Sequence, residues 1–506
     1  MKTPSSGLHK ADRLLFAVLF LVLLIVCFCT FPRIFTESMW PDEALYAWLA
    51  KKASLSPQVL FSKEFIERHP PLFPLLLSAA QFIQPFSDAA LRAIALLINV
   101  TGIVACFYVG RLIGGSEFLA AVCAIGVGLS LAFFVYIPRI LSDGAMMTFF
   151  VLFILAMFKA KESRAWLPHV LVGFFGVCLL LLKWSGLLCL PVLLICYLIP
   201  SSTATRKRIF IPLSMILATL GLLLLNNLHQ LKSVLPNITA LQGAIFTGPP
   251  WFYLKNFRLI CPISGGPVLV LLGFIVLWKI RHPQRVLITA WFWVSFLIIS
   301  FAGEKDYRYT FFFLPPMFLV IGILFEHLSH SFIKLDSARR LFKLAFCGCF
   351  LVLSFNFIIS RLGPISVGDY AYVGFREAGQ FIRPFKGPCL TVLSQSERAI
   401  RYYSGIQYQE FGGQLSVLPE SIRELREMVR HSSGRVVMVI DYWEYTQPAW
   451  AYPLSVDKLT AIENAGFNLI RVVRKAVAND KDQDASLIIQ PVVWVFVANG
   501  GQMCRN

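Results

Sequence analysis

Apolar stretches long enough to cross a membrane recur along most of this chain. A transmembrane helix needs about 17 to 25 mostly apolar residues. Only 15% of the 506 residues are charged, against roughly 25% in an average soluble protein. The pattern predicts a multi-span α-helical membrane protein of about 11 to 13 transmembrane helices and excludes a soluble multidomain protein. The segments lie near residues 14–31, 89–110, 117–136, 144–160, 166–182, 184–200, 209–226, 265–280, 286–302, 310–328 and 341–360.

Short hairpins between these segments are strongly basic. By the positive-inside rule, each such hairpin is expected to face the cytoplasm. The net charge of +18 therefore needs no nucleic acid partner, because basic loops can face the anionic headgroups of the lipid bilayer. The hairpins are 159–164 (KAKESR), 206–208 (RKR), 281–285 (RHPQR) and 337–340 (SARR).

One apolar segment, residues 71–86 (PLFPLLLSAAQFIQPF), is short and has prolines near both ends. If it crossed the membrane, every later basic hairpin would lie outside, whereas an interfacial position keeps them all inside. We therefore predict an interfacial helix in the first outer loop. The segments expected on the outer face are then 32–88, 137–143, 227–264, 303–309 and everything after 361.

From about residue 361 the hydropathy falls and short elements alternate. This alternation predicts a small α/β domain, and the topology makes it extracytoplasmic. The predicted organisation is a transmembrane domain over 1–360 followed by this domain over 361–506. The predicted strands are 388–395, 435–441, 468–473 and 487–499, and the predicted helices are 397–403, 420–430 and 456–466.

Most of the twelve cysteines lie in apolar segments, where a thiol behaves as a small hydrophobic group. Cys389 and Cys504 instead flank predicted strands of the outer domain. An oxidising outer face permits a disulfide between them, although Cys504 lies near the chain end, where fraying is common. A disulfide and two free thiols are therefore the competing predictions.

Five clusters of polar residues fall in the predicted outer loops. Each has a plain structural explanation, because acids stabilise the first turn of a helix and charges anchor the ends of spans. Together they could instead bind an anionic lipid headgroup and a polar acceptor. The clusters contain Asp42 with Glu43, Arg68 with His69, Arg139 with Asp143, Lys183, and Arg308 with Tyr309.

The order of these motifs resembles the glycosyltransferases of the C superfamily. The chain has W-x-D-E-A-x-Y-A at 40–47, H-P-P-L at 69–72, Asp143, K-x-x-G at 183–186 and R-Y at 308–309. The resemblance covers roughly residues 10–330 and is strongest to three groups. These are the bacterial relatives of protein O-mannosyltransferases, the lipid A aminoarabinose transferases and the lipopolysaccharide-core galacturonosyltransferases.

The resemblance implies an enzyme of the bacterial inner membrane with its active site on the periplasmic face. Such an enzyme takes a hexose or pentose from a polyprenyl-phosphate-linked sugar donor. It transfers the sugar, with inversion, to lipid A, core oligosaccharide or another envelope acceptor, which is a glycolipid or a protein.

The resemblance also implies roles for individual residues. Asp42 matches the general base, Glu43 the adjacent acid and Asp143 the second-turn acid, which together form the implied catalytic set. Arg68 stands where the aminoarabinose transferases have an acid, which argues against that sugar. The implied donor-phosphate set is His69, Arg68, Arg139, Lys183, Arg308 and Tyr309.

This chemistry is physically reasonable. A polyprenyl phosphate leaves readily once cations hold its charge, so the main requirement is a base for the acceptor hydroxyl. The sequence has neither a Gly-rich nucleotide loop nor a Cys/His metal motif, and whether a divalent cation assists stays open.

Other interpretations compete with this one. A protein O-mannosyltransferase-like enzyme differs only in its acceptor. A transporter or flippase of lipid-linked sugars belongs to a different class and would place charges near span centres in two repeated halves. A structural or lipid-scaffold protein would need no ordered set of acids.

Overall fold

The computed structural model forms two compact units. We call Met1–Pro32 with Lys52–Ser360 the membrane unit, and Arg33–Lys51 with Arg361–Asn506 the C-terminal unit. The structure describes residues 8–36, 38–56, 70–84, 87–163, 165–199, 208–240, 248–263, 265–302, 305–362, 373–385, 387, 389–405, 414–432, 434–442, 447–478 and 487–499.

Helices account for nearly all of the regular structure up to residue 362. Among the described residues, four short 3₁₀ segments accompany the helices: Ala79–Phe82, Trp184–Leu188, Tyr307–Phe312 and Arg383–Phe385. The helices are α1 (Leu8–Thr36), α2 (Pro41–Leu55), α3 (Leu72–Ser78), α4 (Asp88–Leu112), α5 (Glu117–Gly128), α6 (Leu131–Tyr136), α7 (Ser142–Glu162), α8 (Leu167–Leu182), α9 (Cys189–Leu198), α10 (Phe210–Ala240), α11 (Phe252–Lys255), α12 (Phe257–Ile260), α13 (Gly266–Lys279), α14 (Arg285–Phe301), α15 (Leu314–Phe332) and α16 (Asp336–Leu362).

The chain is a multi-pass membrane protein. Among the described residues, four helical segments are long and apolar enough to cross a bilayer, and they lie in α1, α4, α7 and α16. Shorter apolar helices fill the intervals between them. Residues 72–82, the segment of ambiguous topology, form seven residues of α3 followed by a four-residue 3₁₀ turn. At about 1.5 to 2 Å per residue this segment is shorter than the roughly 30 Å of a bilayer core.

The structure interrupts two of the predicted spans and lengthens another. The span predicted over 117–136 stops at Gly128 and restarts at α6, whose first turn is capped by Ser130. The span predicted over 184–200 opens with a 3₁₀ turn before α9. Helix α10 continues to Ala240, beyond the predicted end at 226, because residues 227–240 keep apolar positions at helical spacing.

Small residues allow the helices of the membrane unit to approach closely. A side chain on Gly110 would collide with the backbone of Ala120, and one on Gly273 would collide with the carbonyl of Val320. Such contacts between backbones are how helices pack where no hydrophobic effect drives them together. Helix α5 is correspondingly buried along its length from Phe118 to Gly128.

The C-terminal unit contains a five-stranded sheet with order β2-β1-β3-β5-β4. Strands β1, β2 and β3 are parallel, whereas β5 runs antiparallel to both β3 and β4. The three-residue strand β2 and helix α17 were not predicted from the sequence. The elements are α17 (Phe375–Ile382), β1 (Leu390–Ser394), α18 (Glu397–Ser404), β2 (Gln414–Ser416), α19 (Ile422–His431), β3 (Arg435–Asp441), α20 (Val456–Asn464), β4 (Asn468–Ala478) and β5 (Leu487–Asn499).

One face of this sheet builds a hydrophobic core beneath α19 and α20. Ser421 and Ser455 cap the two helices by accepting hydrogen bonds from backbone N–H groups in their first turns. The fully buried members of the core include Leu393, Leu425, Val436, Met438, Ile440, Ile462, Phe467 and Phe496.

Residues 33–51 belong to the C-terminal unit, whereas the predicted first domain ran unbroken to residue 360. The physical reason is a set of polar contacts to α17 and α18. The hydroxyl of Tyr403 accepts a hydrogen bond from the backbone N–H of Met39 at 2.7 Å, and Arg376 donates one to the carbonyl of Phe35.

Candidate functional site

Three of the predicted site residues meet in the membrane unit. Asp143, in the first turn of α7, is only 3% exposed, and its Oδ1 accepts a hydrogen bond from Lys183 Nζ at 2.8 Å. Its Oδ2 lies 3.9 Å from Nε of Arg308. The sequence separates these residues by 40 and 165 positions, and the fold brings them into one ion-paired cluster.

A second carboxylate, Asp306, completes this cluster and was missed by the sequence interpretation. Its Oδ2 lies 3.0 Å from Nε of Arg308, and its Oδ1 accepts hydrogen bonds from Tyr136 Oη at 2.9 Å and from the backbone N–H of Arg308. Tyr253 donates a hydrogen bond to the Asp306 carbonyl. Arg308 is therefore held by Asp306 at the start of the 3₁₀ turn that also carries Tyr309. Burial raises the pKa of the neighbouring Tyr307, and the negative charge of Asp306 raises it further.

The ring of Tyr309 lies against both cations. Its centroid is 5.1 Å from Lys183 Nζ and 5.6 Å from Arg308 Cζ, within the range of cation–π attraction. Lys183 and Tyr309 also line a cavity of about 480 Å³. The rest of its lining is mainly apolar and comes from Trp184, Ser185, Leu187, Leu188, Pro191, Ile298, Ile299, Ala302 and Phe312.

The position of Lys183 is set by the turn between α8 and α9. The backbone N–H of Lys183 bonds to the carbonyl of Leu179, and its own carbonyl accepts from the N–H of Gly186. A Cβ on Gly186 would collide with that Leu179 carbonyl. The spacing K-x-x-G therefore has a structural cause, because only glycine lets the 3₁₀ turn close over the last turn of α8.

Two other cations near the cluster differ in their surroundings. Lys305 is buried and donates to the carbonyls of Ile299, Ser300 and Ala302, so it caps the C-terminal end of α14. Burial lowers its pKa. Arg139 is also buried, in the connection between α6 and α7. Two residues earlier, the carbonyl of Ile137 accepts a hydrogen bond from Asn99 Nδ2 at 2.7 Å.

The two acids of the first outer loop lie in the C-terminal unit and differ from each other. Glu43 is fully buried, and its Oε2 accepts a hydrogen bond from the backbone N–H of Trp40 at 3.0 Å, as in a capping box. The Asp42 side chain is 41% exposed, and its Oδ1 accepts a hydrogen bond from Arg398 Nη1 at 3.2 Å. Only Asp42 therefore presents a carboxylate to solvent.

Arg68, His69 and Glu304 lie outside the residues that the structure describes. The sequence did not predict that Arg398 contacts Asp42 or that Asp306 contacts Arg308. Asp306 lies two residues before Arg308, whose R-Y motif the sequence had singled out, whereas Arg398 carries no motif. In the described part of the chain, no group of three or more His, Cys, Asp or Glu side chains could hold a metal ion.

Solved structures with the same architecture identify the fold. The chain is similar to ArnT from Cupriavidus metallidurans, with TM-score 0.60 and 13% identity over 97% of this chain and 98% of that one. The values are the same for ArnT bound to undecaprenyl phosphate. The chain has the GT-C fold.

Two further structures with the GT-C fold support this identification. The Archaeoglobus fulgidus oligosaccharyltransferase matches with TM-score 0.54 and 13% identity, over 84% of this chain and 69% of that one. The arabinofuranosyltransferase AftD from Mycobacteria matches with TM-score 0.54 and 12% identity, over 96% of this chain and 40% of that one. No protein-family model matches the sequence, and no curated protein does.

Proposed function

We propose that the protein is a glycosyltransferase that uses a polyprenyl-phosphate-linked sugar. The observation that carries the proposal is that Lys183 belongs both to the ion-paired cluster and, with Tyr309, to the lining of the largely apolar cavity. A phosphate attached to a long apolar chain needs both a cationic end and an apolar space. The GT-C fold and the undecaprenyl phosphate bound to ArnT support the same choice of donor.

Within this site, Lys183 and Arg308 bind the donor phosphate. The Lys183 side chain is 25% exposed and lines the cavity, whereas the Asp143 side chain is only 3% exposed. The sequence grouped Asp143 with the catalytic acids, but its burial and its ion pairs favour a role in positioning the two cations. Ser185 also lines the cavity, and its hydroxyl is buried with no partner among the described residues.

Asp42 is the general base of the proposed reaction. The acceptor oxygen attacks the anomeric carbon, the bond from that carbon to the phosphate oxygen breaks, and the polyprenyl phosphate leaves with its electron pair. The acceptor proton moves to Asp42, and the configuration at the anomeric carbon inverts. The cations stabilise the negative charge that develops on the leaving phosphate, and the base increases the nucleophilicity of the hydroxyl.

The acceptor is proposed to be an envelope component on the periplasmic face of the bacterial inner membrane. Mass spectrometry of lipid A, core oligosaccharide and envelope proteins from a deletion strain tests this. We expect one component to lose the mass of a single sugar and to regain it when the wild-type gene is restored. A protein substrate would favour the O-mannosyltransferase-like alternative, and an unchanged envelope with accumulated lipid-linked sugar in one leaflet would favour a flippase.

A further inference from the structure

Helix α18 presents two arginines to the segment that contains Asp42. Arg398 and Arg401 are three residues apart and so lie on one face of the helix. Arg398 donates a hydrogen bond to Asp42 at 3.2 Å, and the guanidinium of Arg401 lies 5.2 Å from the ring centroid of Trp48. Both contacts are within the C-terminal unit.

The same segment is fixed at its start by two further contacts. Tyr403 accepts from the N–H of Met39, and Arg376 both donates to the carbonyl of Phe35 and lies against the Tyr403 ring. The backbone at Phe35 and Met39 is therefore held by Arg376 and Tyr403. The hydrogen bond from Arg398 is made to the Asp42 carboxylate, so it acts on that side chain.

The Arg398–Asp42 pair is poorly suited to a stabilising role. The two side chains are 31% and 41% exposed, and water screens an ion pair at such a position. Asp42 is also already stabilised by its place in the first turn of α2. A general base, however, must point its carboxylate at the proton it removes, and small errors of orientation slow the reaction strongly.

We propose that Arg398 is a positioning residue for Asp42. The proposal rests on the proposed function, in which Asp42 is the base. Arg398 fixes the orientation of the Asp42 carboxylate through the Nη1–Oδ1 hydrogen bond, while Oδ1 and Oδ2 together stay accessible enough to receive a proton.

The test compares variants of the full-length protein in the deletion strain at equal protein levels. The readout is the initial rate at which the missing sugar reappears after induction. We expect Arg398→Gln to lower this rate by about 10- to 100-fold. Arg398→Lys should recover most of it, because an ammonium can still hold the carboxylate. Binding of undecaprenyl phosphate and the thermal unfolding temperature should stay at wild-type values in both variants.

Two arginine variants serve as controls. Arg423→Gln removes an exposed charge from α19 of the same unit and should leave the rate unchanged. Arg401→Gln removes the contact with the Trp48 ring and keeps the Arg398–Asp42 hydrogen bond, so it should cost much less than Arg398→Gln. Equal losses from Arg401→Gln and Arg398→Gln would overturn the proposal, because anchoring of the segment would then explain both.

Asp42→Asn separates the proposal from the function on which it rests. Full transfer by Asp42→Asn would refute the base assignment itself. Loss of transfer in Asp42→Asn with full transfer in Arg398→Gln would refute only the positioning role.

Discussion

At the scale of single residues, the adjacent acids of α2 should give opposite results when neutralised. Asp42→Asn should abolish transfer while keeping expression and stability, because an amide cannot accept the acceptor proton. Glu43→Gln should instead keep transfer and stability near wild type, because the amide oxygen of Gln can still accept the hydrogen bond from the Trp40 N–H. Transfer rate and thermal unfolding of the two purified variants check this. Loss of transfer in Glu43→Gln alone would exchange their roles.

Lys183 and Arg308 should each contribute to binding of the donor phosphate. We expect Lys183→Ala and Arg308→Ala to weaken binding of undecaprenyl phosphate by about 1 to 3 kcal/mol, as is usual for a charge-assisted hydrogen bond. Native mass spectrometry of the purified protein with added lipid measures the change.

Removing Lys183 also leaves the buried Asp143 with only the more distant Arg308, at 3.9 Å, as its ion-pair partner, and this loss can destabilise the fold by itself. The double variant Lys183→Ala/Asp143→Asn controls for this effect. It should restore stability but not lipid binding. Wild-type affinity in both single alanine variants would show that Lys183 and Arg308 do not bind the donor phosphate.

The sequence shows which charged residues a segment contains, but not which groups each of them contacts in the fold. Lys305 and Arg308 lie in the same polar cluster, yet Lys305 bonds to three carbonyls at the end of α14 whereas Arg308 is held between two carboxylates. Only the packing of α14 against the turn that follows it decides this difference. Contacts between distant segments, such as Arg398 with Asp42, leave no local signal at all.

At the scale of elements, the turn after α8 should tolerate no side chain at Gly186. Gly186→Ala would push a methyl group into the carbonyl of Leu179, and overpacking of this kind costs about 1 to 3 kcal/mol. It should also displace Lys183 and weaken binding of undecaprenyl phosphate. Gly348→Ala is the matched control, because a side chain there meets nothing within 4 Å. Equal stability and equal lipid binding in the two variants would contradict this account.

Helix positions were predictable because a long apolar run has few other ways to satisfy its backbone in a membrane. The breaks within runs were not. Residues 117–136 are apolar on every side, so no periodicity marks the stop at Gly128 or the cap at Ser130. Strand β2 pairs through only three residues, Gln414 to Ser416, which is too short for an alternating pattern to be recognised.

At the scale of the whole molecule, the basic hairpins predict the orientation in the membrane. Single cysteines at the exposed positions Lys51, Trp251 and Arg423 should react with a membrane-impermeant maleimide from the periplasmic side. Cysteines at Glu162, Pro283 and Ser337 should react only after the membrane is opened. Residues 51 and 162 labelling from the same side would show that the assignment of residues 71–86 as interfacial is wrong.

The oxidation state of the cysteines gives a second test of that orientation. Cys389 is disulfide-bonded, and ten other cysteines are free thiols. Cys504 lies outside the described residues, so its pairing with Cys389 stays a prediction. Closing a loop of over a hundred residues would restrict the unfolded chain and contribute at most about 5 kcal/mol to stability. Such a bond persists only if the C-terminal unit faces an oxidising compartment.

Thiol counting on the purified full-length protein decides the matter. Under denaturing, non-reducing conditions we expect ten reactive thiols, rising to twelve after reduction. Peptide mapping should find the peptides of Cys389 and Cys504 linked. The Cys389→Ser variant should lack that linked peptide and should show eleven reactive thiols without reduction, because Cys504 is then also free. Twelve thiols without reduction would contradict both the disulfide and the periplasmic placement of the C-terminal unit, since a reducing cytoplasm keeps cysteines as free thiols.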